Sequence, residues 1–355
     1  MGERPKPAAL PHGMAGGGLA PFSRRGPNPR RTYGALDLGT NNCRLLIARP
    51  SEDGFVVVDA FSRIVRLGEG LAASGLLGEA AMDRAVAALA ICADKLRHRN
   101  VALVRSVATE ACRRAANGRA FVERVLRETG IKLEIISAEQ EARLAVTGCQ
   151  ALLEPGAGPA LVFDIGGGST ELVLLGEGAD DAPTVADWFS APWGVVSLSE
   201  SEPHSGADEA ELRAAYGRMR ARVAEAFAPF VAKLAGRGAR PGRLLGTSGT
   251  VTTLASVHLD LPSYDRRRID GLIVPAAAMH GVSQRLAGMS VAERATLPCI
   301  GRERADLVVA GCALLETILD IWPAERLSVA DRGIREGILR SLIAADARLA
   351  NGRAR

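Results

Sequence analysis

Apolar residues cluster along this chain in two successive cycles. Runs at 33–37, 44–48, 55–60, 101–107 and 131–136 have the length and composition of strands, and helical spacing of apolar positions follows over 78–99 and 117–128. Gly130 stands where the second of these helices would stop. A second cycle opens at 160, with strand-like runs at 160–164, 171–175, 185–189 and 243–246. Long helical patterns cover 207–235, 274–287, 304–321 and 332–349. The pattern predicts two α/β halves.

Each half opens on the same device. Ala35-Leu-Asp-Leu-Gly-Thr-Asn-Asn-Cys-Arg-Leu-Leu-Ile47 and Val162-Phe-Asp-Ile-Gly-Gly-Gly-Ser-Thr-Glu-Leu-Val-Leu174 match in residue type at a constant offset of 127 residues. A repeat of this length predicts two similar domains facing one another across a cleft, where ligands usually sit. Each copy reads as a buried strand ending in aspartate, a glycine-containing turn and a second strand. Such a turn leaves backbone N–H groups without partners and makes an anion site, and glycine lets the backbone approach a phosphate closely. A carboxylate at the rim of a phosphate site calls for an intervening cation, and oxygen ligands suit Mg²⁺. Asp164 and Asp37 are therefore candidate magnesium-site residues. Where the first copy has Arg44 the second has Glu171, so the two walls of the cleft differ chemically.

Further along, Ser137 and Gln140 form a capping box that starts a helix with Glu139 and Glu141 in its first turn. Helix-dipole stabilisation accounts for Glu139. Gly246 to Thr250 reads equally as a strand-to-helix turn or a ligand contact, and Arg266-Arg267-Arg268 as a solvated loop or a guide for a polyanion. Arg302 and Arg304 are similar candidates.

Composition narrows the class. The 355 residues, 47% hydrophobic and 24% charged, suit a globular protein of more than one domain. No apolar run has the length of a membrane span and the N-terminus lacks the apolar centre of a secretory signal, which predicts a cytoplasmic protein without a membrane partner. Six scattered cysteines and five histidines show no ligand spacing, which disfavours a His/Cys metal site. Six of the 44 basic residues but one of the 40 acidic ones lie in residues 1–32, leaving 38 against 39 elsewhere. The basic excess thus belongs to a Pro/Gly-rich tail, expected to be disordered, and specific nucleic-acid binding is not indicated. The tail reads as a solvated leader or a loose arm that attracts polyanions.

Six segments occur here in the order of one known family: Asp37-Leu-Gly-Thr-Asn-Asn, Ala108-Thr-Glu-Ala-Cys-Arg113, Ser137-Ala-Glu-Gln-Glu-Ala-Arg143, Asp164-Ile-Gly-Gly-Gly-Ser-Thr-Glu171, Gly246-Thr-Ser-Gly-Thr250 and Gly333-Ile-Arg-Glu-Gly337. Over residues 33 to 340 the chain resembles the exopolyphosphatase and guanosine pentaphosphate phosphohydrolase family. The resemblance implies the actin, Hsp70 and sugar-kinase superfold, with two ribonuclease-H-like domains. On that basis residues 1–31 would be the tail, 32–139 and 140–325 the two domains, and 326–355 a C-terminal helix and tail that packs back on the first domain.

The activity so implied is Mg²⁺-dependent hydrolysis of a terminal phosphoanhydride, in polyphosphate or guanosine pentaphosphate. Glu141 falls on the catalytic base position, Asp164 and Glu171 on an acidic metal and water site, and Arg113 and Arg44 on phosphate-contacting positions. The loops Gly39, Thr40, Asn41, Asn42 and Gly166, Gly167, Gly168, Ser169 would hold the phosphoryl group, with Ser248, Gly249 and Thr250 as further substrate contacts. A homodimer is also implied. The rival readings are an ATP-dependent small-molecule kinase of the same superfold and a non-catalytic polyphosphate or alarmone sensor.

Overall fold

The computed structural model describes residues 31–52, 54–177, 183–205 and 208–352. The expected disordered tail, up to residue 30, lies outside the described residues. The first sheet contains β1 (Tyr33–Leu38), β2 (Asn42–Ser51), β3 (Gly54–Ile64), β4 (Leu103–Ala108) and β5 (Leu133–Ile135) in the order β3-β2-β1-β4-β5. The second contains β6 (Ala160–Ile165), β7 (Thr170–Glu177), β8 (Pro183–Ala191), β9 (Arg243–Thr247), β10 (Ile273–Pro275) and β11 (Arg326–Ala330) in the order β10-β11-β9-β6-β7-β8. In both, the first three strands form an antiparallel meander and the next two add in parallel beside the first. Apart from the extra edge strand β10, the two halves share one topology. These are the two similar domains that the repeat predicted, with the ribonuclease-H-like fold that the resemblance implied.

Period-two alternation divides each leading strand between two cores. Leu36 and Leu38 face the helices Glu79–His98 and Gly118–Thr129, while Tyr33 and Ala35 face the C-terminal helix Ile334–Gly352. In β6, Leu161, Phe163 and Ile165 join the large outer core of the second domain, and Ala160 and Val162 meet the helix Ala138–Cys149. Asp37 and Asp164 follow the inner set by the same alternation. Both carboxylates thereby face the pair of helices that runs between the sheets.

Those two helices touch backbone to backbone. A Cβ on Gly148 would lie 2.0 Å from the Gly333 carbonyl oxygen, and one on Gly337 2.0 Å from that of Leu144, so only glycine permits this crossing. The capping box at Ser137 is present in both directions, at 3.1 Å and 2.9 Å. Two expected helices begin differently. The pattern from 274 is preceded by β10, and the one from 304 becomes regular only over Val308–Ile321. Strand β11, not separated in the sequence pattern, carries the second sheet past residue 325. Among the described residues no helix is long and apolar enough to cross a membrane.

Candidate active site

The two turns repeat each other in detail. The Gly39 amide donates to the Asn42 carbonyl at 2.9 Å, and 127 residues later the Gly166 amide donates to the Ser169 carbonyl, also at 2.9 Å. In each turn the carbonyls are taken up from behind. Thr40 and Asn41 oxygens accept from the amides of Gly68, Val65 and Arg66. Gly166 and Gly167 oxygens accept from the amides of Val195 and Val196, at the start of the helix Val195–Ser201. With the carbonyls held away, the amides of Thr40, Asn41, Gly167 and Gly168 have no acceptor among the described residues. That is the anion-binding arrangement the turns require.

The turns face each other closely. A Cβ on Gly168 would lie 2.7 Å from Thr40 Oγ1, and one on Gly167 3.0 Å from the Asn41 amide nitrogen. A side chain at either glycine would press on the facing turn.

Around this junction one cleft gathers Asp37, Gly39 to Asn42, Arg44, Glu141, Asp164, Gly166 to Ser169, Glu171 and Ser248 to Thr250. Of the residues expected at the site, only Arg113 lies outside its lining. The Arg113 guanidinium donates to Glu110 at 2.6 Å, to Glu141 at 3.1 Å and to the Ile136 carbonyl at 2.8 Å. It holds the Glu141 carboxylate rather than an open phosphate position.

The ladder register places Arg44 directly opposite Asp37, and Glu171 directly opposite Asp164. The difference in charge between the two copies therefore sits beside each aspartate. Arg44 makes no hydrogen bond or ion pair among the described residues and reaches the second domain, where a Cβ on Gly249 would lie 3.3 Å from its Nη2. Glu171 accepts from Ser169 at 2.7 Å and from Ser190 at 2.9 Å.

Burial dominates the titration of these acids. It pushes Asp164 up to about 6, with Arg44 opposing the shift and Asp37 adding to it. Glu171 is pushed up to about 7 by burial and by Asp164, against its serine hydrogen bonds. Glu141 is raised well above the usual carboxylate range by burial and the neighbouring Glu171, with Arg113 pulling it back. Asp37 is raised by burial, against Arg44 and Arg335. Asp37 Oδ1 and Asn41 Oδ1 are buried without hydrogen-bond partners among the described residues.

Ser248, at the end of β9, adopts φ 109°, a conformation rare outside glycine and concentrated at functional sites. Its hydroxyl caps the helix Gly249–His258 by accepting from the Thr250 amide at 3.2 Å. The arginine run behaves differently from its expected loop. Residues Arg266–Ile269 form a short helix, and Arg266 pairs with Asp331 at 3.2 Å and Glu336 at 3.1 Å. Arg266 is thus a clamp on the C-terminal motif, because the buried Glu336 and the half-buried Asp331 compete with solvent for it. Sequence reasoning missed Glu110 and Thr109 in the lining, and Ser190 as the support of Glu171. Glu110 stood inside a quoted motif, but Ser190 carries no local signal.

Facing anion turns flanked by buried carboxylates, on paired ribonuclease-H-like sheets, define a phosphoryl-handling protein of the actin-like superfold. A model of the Ppx/GppA phosphatase family matches residues 46–345, and the chain belongs to that family. It is a hydrolase of phosphoric anhydrides. Exopolyphosphatase 2 of Mycobacterium tuberculosis is 33% identical over 322 residues, covering 87% of this chain and 97% of that protein. A putative exopolyphosphatase of Haemophilus influenzae is 29% identical, covering 88% and 91%. Among solved structures, an exopolyphosphatase from Cytophaga hutchinsonii superposes with a TM-score of 0.78 at 26% identity, covering 89% and 98%. The Aquifex aeolicus family member gives 0.70 at 28% identity, covering 89% and 98%.

Proposed function

We propose that this chain is an exopolyphosphatase that removes the terminal phosphate of inorganic polyphosphate with the help of Mg²⁺. The observation that carries the reading is the pair of facing turns with four unpartnered amides between them, set against a buried carboxylate cluster. The exopolyphosphatase names of the similar proteins support polyphosphate over guanosine pentaphosphate as the main substrate. Six cysteines without disulfides fit a cytoplasmic setting.

The cleft offers oxygen donors only, and the partnerless Asp37 Oδ1 fits a hard cation. Among the described residues no three His, Cys, Asp or Glu side chains form a ready-made metal site. That suits Mg²⁺, which commonly uses one or two carboxylates and completes its shell with water and substrate phosphate. One or two of Asp164, Glu171 and Asp37 would supply the carboxylate oxygens, and when bound the ion would neutralise charge on the terminal phosphate.

The chain's own groups do the rest. Amides of both turns and Arg44 fix the terminal phosphoryl group. Glu141, held by Arg113, accepts a proton from water as the water oxygen bonds to phosphorus. The bridging P–O bond breaks, its electron pair remains on the departing chain, and orthophosphate leaves. A positioned base contributes about 10²–10⁴-fold, the rest being positioning and electrostatics.

Phosphate release from polyphosphate, guanosine pentaphosphate and ATP, with and without Mg²⁺, tests the reading. Polyphosphate is expected to be hydrolysed fastest and chelation to stop it. Glu141→Gln is expected to lower kcat by about 10²–10⁴-fold with little change in KM. Unchanged phosphate release by that variant refutes the base assignment, and hydrolysis of neither of the first two substrates refutes the function.

A further inference from the structure

The catalytic cleft continues into a second groove, with which it shares Asn42 and Arg304. One wall is the edge strand β3 with Ser62 and Arg63. The other is the loop from Ile300 to Arg304 of the second domain. The Gly301 backbone, at φ 66°, turns this loop. Arg66 pins it to the first domain, reaching Asp306 at 2.9 Å and the Glu303 carbonyl at 3.1 Å.

The groove's charge is unbalanced. Arg63, Arg302 and Arg304 line it, and none has a carboxylate within ion-pair distance among the described residues. Arg304 only donates to Thr253 Oγ1 at 3.0 Å. Nearby Arg66 and Arg84, by contrast, are paired with Asp306 and Glu69. Glu303 is the single acid in the lining. Three guanidinium groups in a groove between two walls focus a positive field and can each grip phosphate oxygens with two N–H groups. No aromatic side chain lines the groove, and the nearby Phe61 ring is already covered by Arg63 at 5.4 Å. Nothing there would stack a nucleobase.

We propose that this groove is a subsite for the outgoing phosphates of a linear inorganic polyphosphate, the residues beyond the one being cleaved. The proposal rests on the exopolyphosphatase reading and adds to it a preference for long, unsubstituted chains. Arg63 and Arg302, which line this groove and not the carboxylate cleft, would set KM for long chains without touching the reaction.

The test compares wild type with a combined Arg63→Ser, Arg302→Ser variant on tripolyphosphate and on long-chain polyphosphate. The expected result is a rise of about tenfold or more in KM for the long chain, a shallower salt dependence of that KM, and unchanged kcat. Tripolyphosphate parameters should stay near wild type. An Arg267→Ser, Arg268→Ser variant, losing the same charge from an exposed helix outside both cavities, should behave as wild type. Equal losses on both substrates, a matching loss in that control, or no loss at all would overturn the subsite. Calorimetric titration with long-chain polyphosphate in chelator reads the groove without turnover. Weakened binding there, in a protein whose wild type hydrolyses no polyphosphate, would sink the function but keep the subsite; unchanged binding would sink the subsite alone.

Discussion

Arg113 shows how far the role of one side chain depends on its neighbours. Its motif suggests a phosphate contact, yet its guanidinium is shared between Glu110 and Glu141. On the proposed mechanism an arginine so placed acts through Glu141, lowering the pKa that burial and Glu171 raise. Arg113→Met is therefore expected to move the acid limb of the kcat/KM–pH profile upward, since Glu141 would then need a higher pH to lose its proton. A purely structural role would lower activity without shifting that limb. Residue types at the ends of β1 and β6 made the aspartates and glycines of the turns legible in the sequence, because strand-turn-strand geometry is local. The supporting groups were not legible. Ser190 reaches Glu171 from a neighbouring strand, and Arg63 and Arg302 come to line one groove only through the packing of two domains.

At the scale of elements, apolar periodicity found the meanders and the long amphipathic helices. It did not register the helix Gly249–His258, to which only the strand-to-helix reading of Gly246 to Thr250 pointed, since residues 251–257 are all buried, their threonines and serine included, and polar and apolar positions do not divide into two faces. Strand β11 was hidden because five residues between two helical patterns give too short a run for alternation to register. The helix crossing was also invisible, although its glycines were in plain view. Close approach at Gly148 and Gly337 lets the Ala138–Cys149 helix bring Glu141 against both sheets. A methyl group at Gly337 must displace the Leu144 backbone, so Gly337→Ala is expected to cost about 1–3 kcal/mol in denaturant unfolding and to depress kcat as well. Gly217→Ala, on the exposed side of the helix Glu209–Gly236 with open space at Cβ, should leave both unchanged or slightly improved.

For the whole molecule, the buried acids set a pH dependence. Asp164 and Glu171 have folded-state pKa values of about 6 and about 7, above those of an unfolded chain. At these two sites the folded protein therefore binds more protons than the unfolded one between about pH 4 and pH 7, and their contribution to metal-free stability falls as pH rises through that window. Thermal unfolding in chelator should give a higher Tm at pH 5 than at pH 8, with added Mg²⁺ recovering stability mainly at the higher pH. Asp164→Asn should flatten this dependence and raise the metal-free Tm at pH 8 while abolishing turnover. A metal-free Tm that climbs from pH 5 to pH 8 would contradict the burial of these acids as the dominant influence.

Arg44 and Glu171 stand on the same rung of two hairpins with matching backbone register, so the cleft has a cation on one wall and an acid on the other. Linear polyphosphate is a molecule whose two tips are chemically identical. A site with mirror-like walls could seat such a tip in either sense. On the proposed reading, opposite charges on the rungs would seat either tip in one sense only, and the molecule would need no means of telling head from tail.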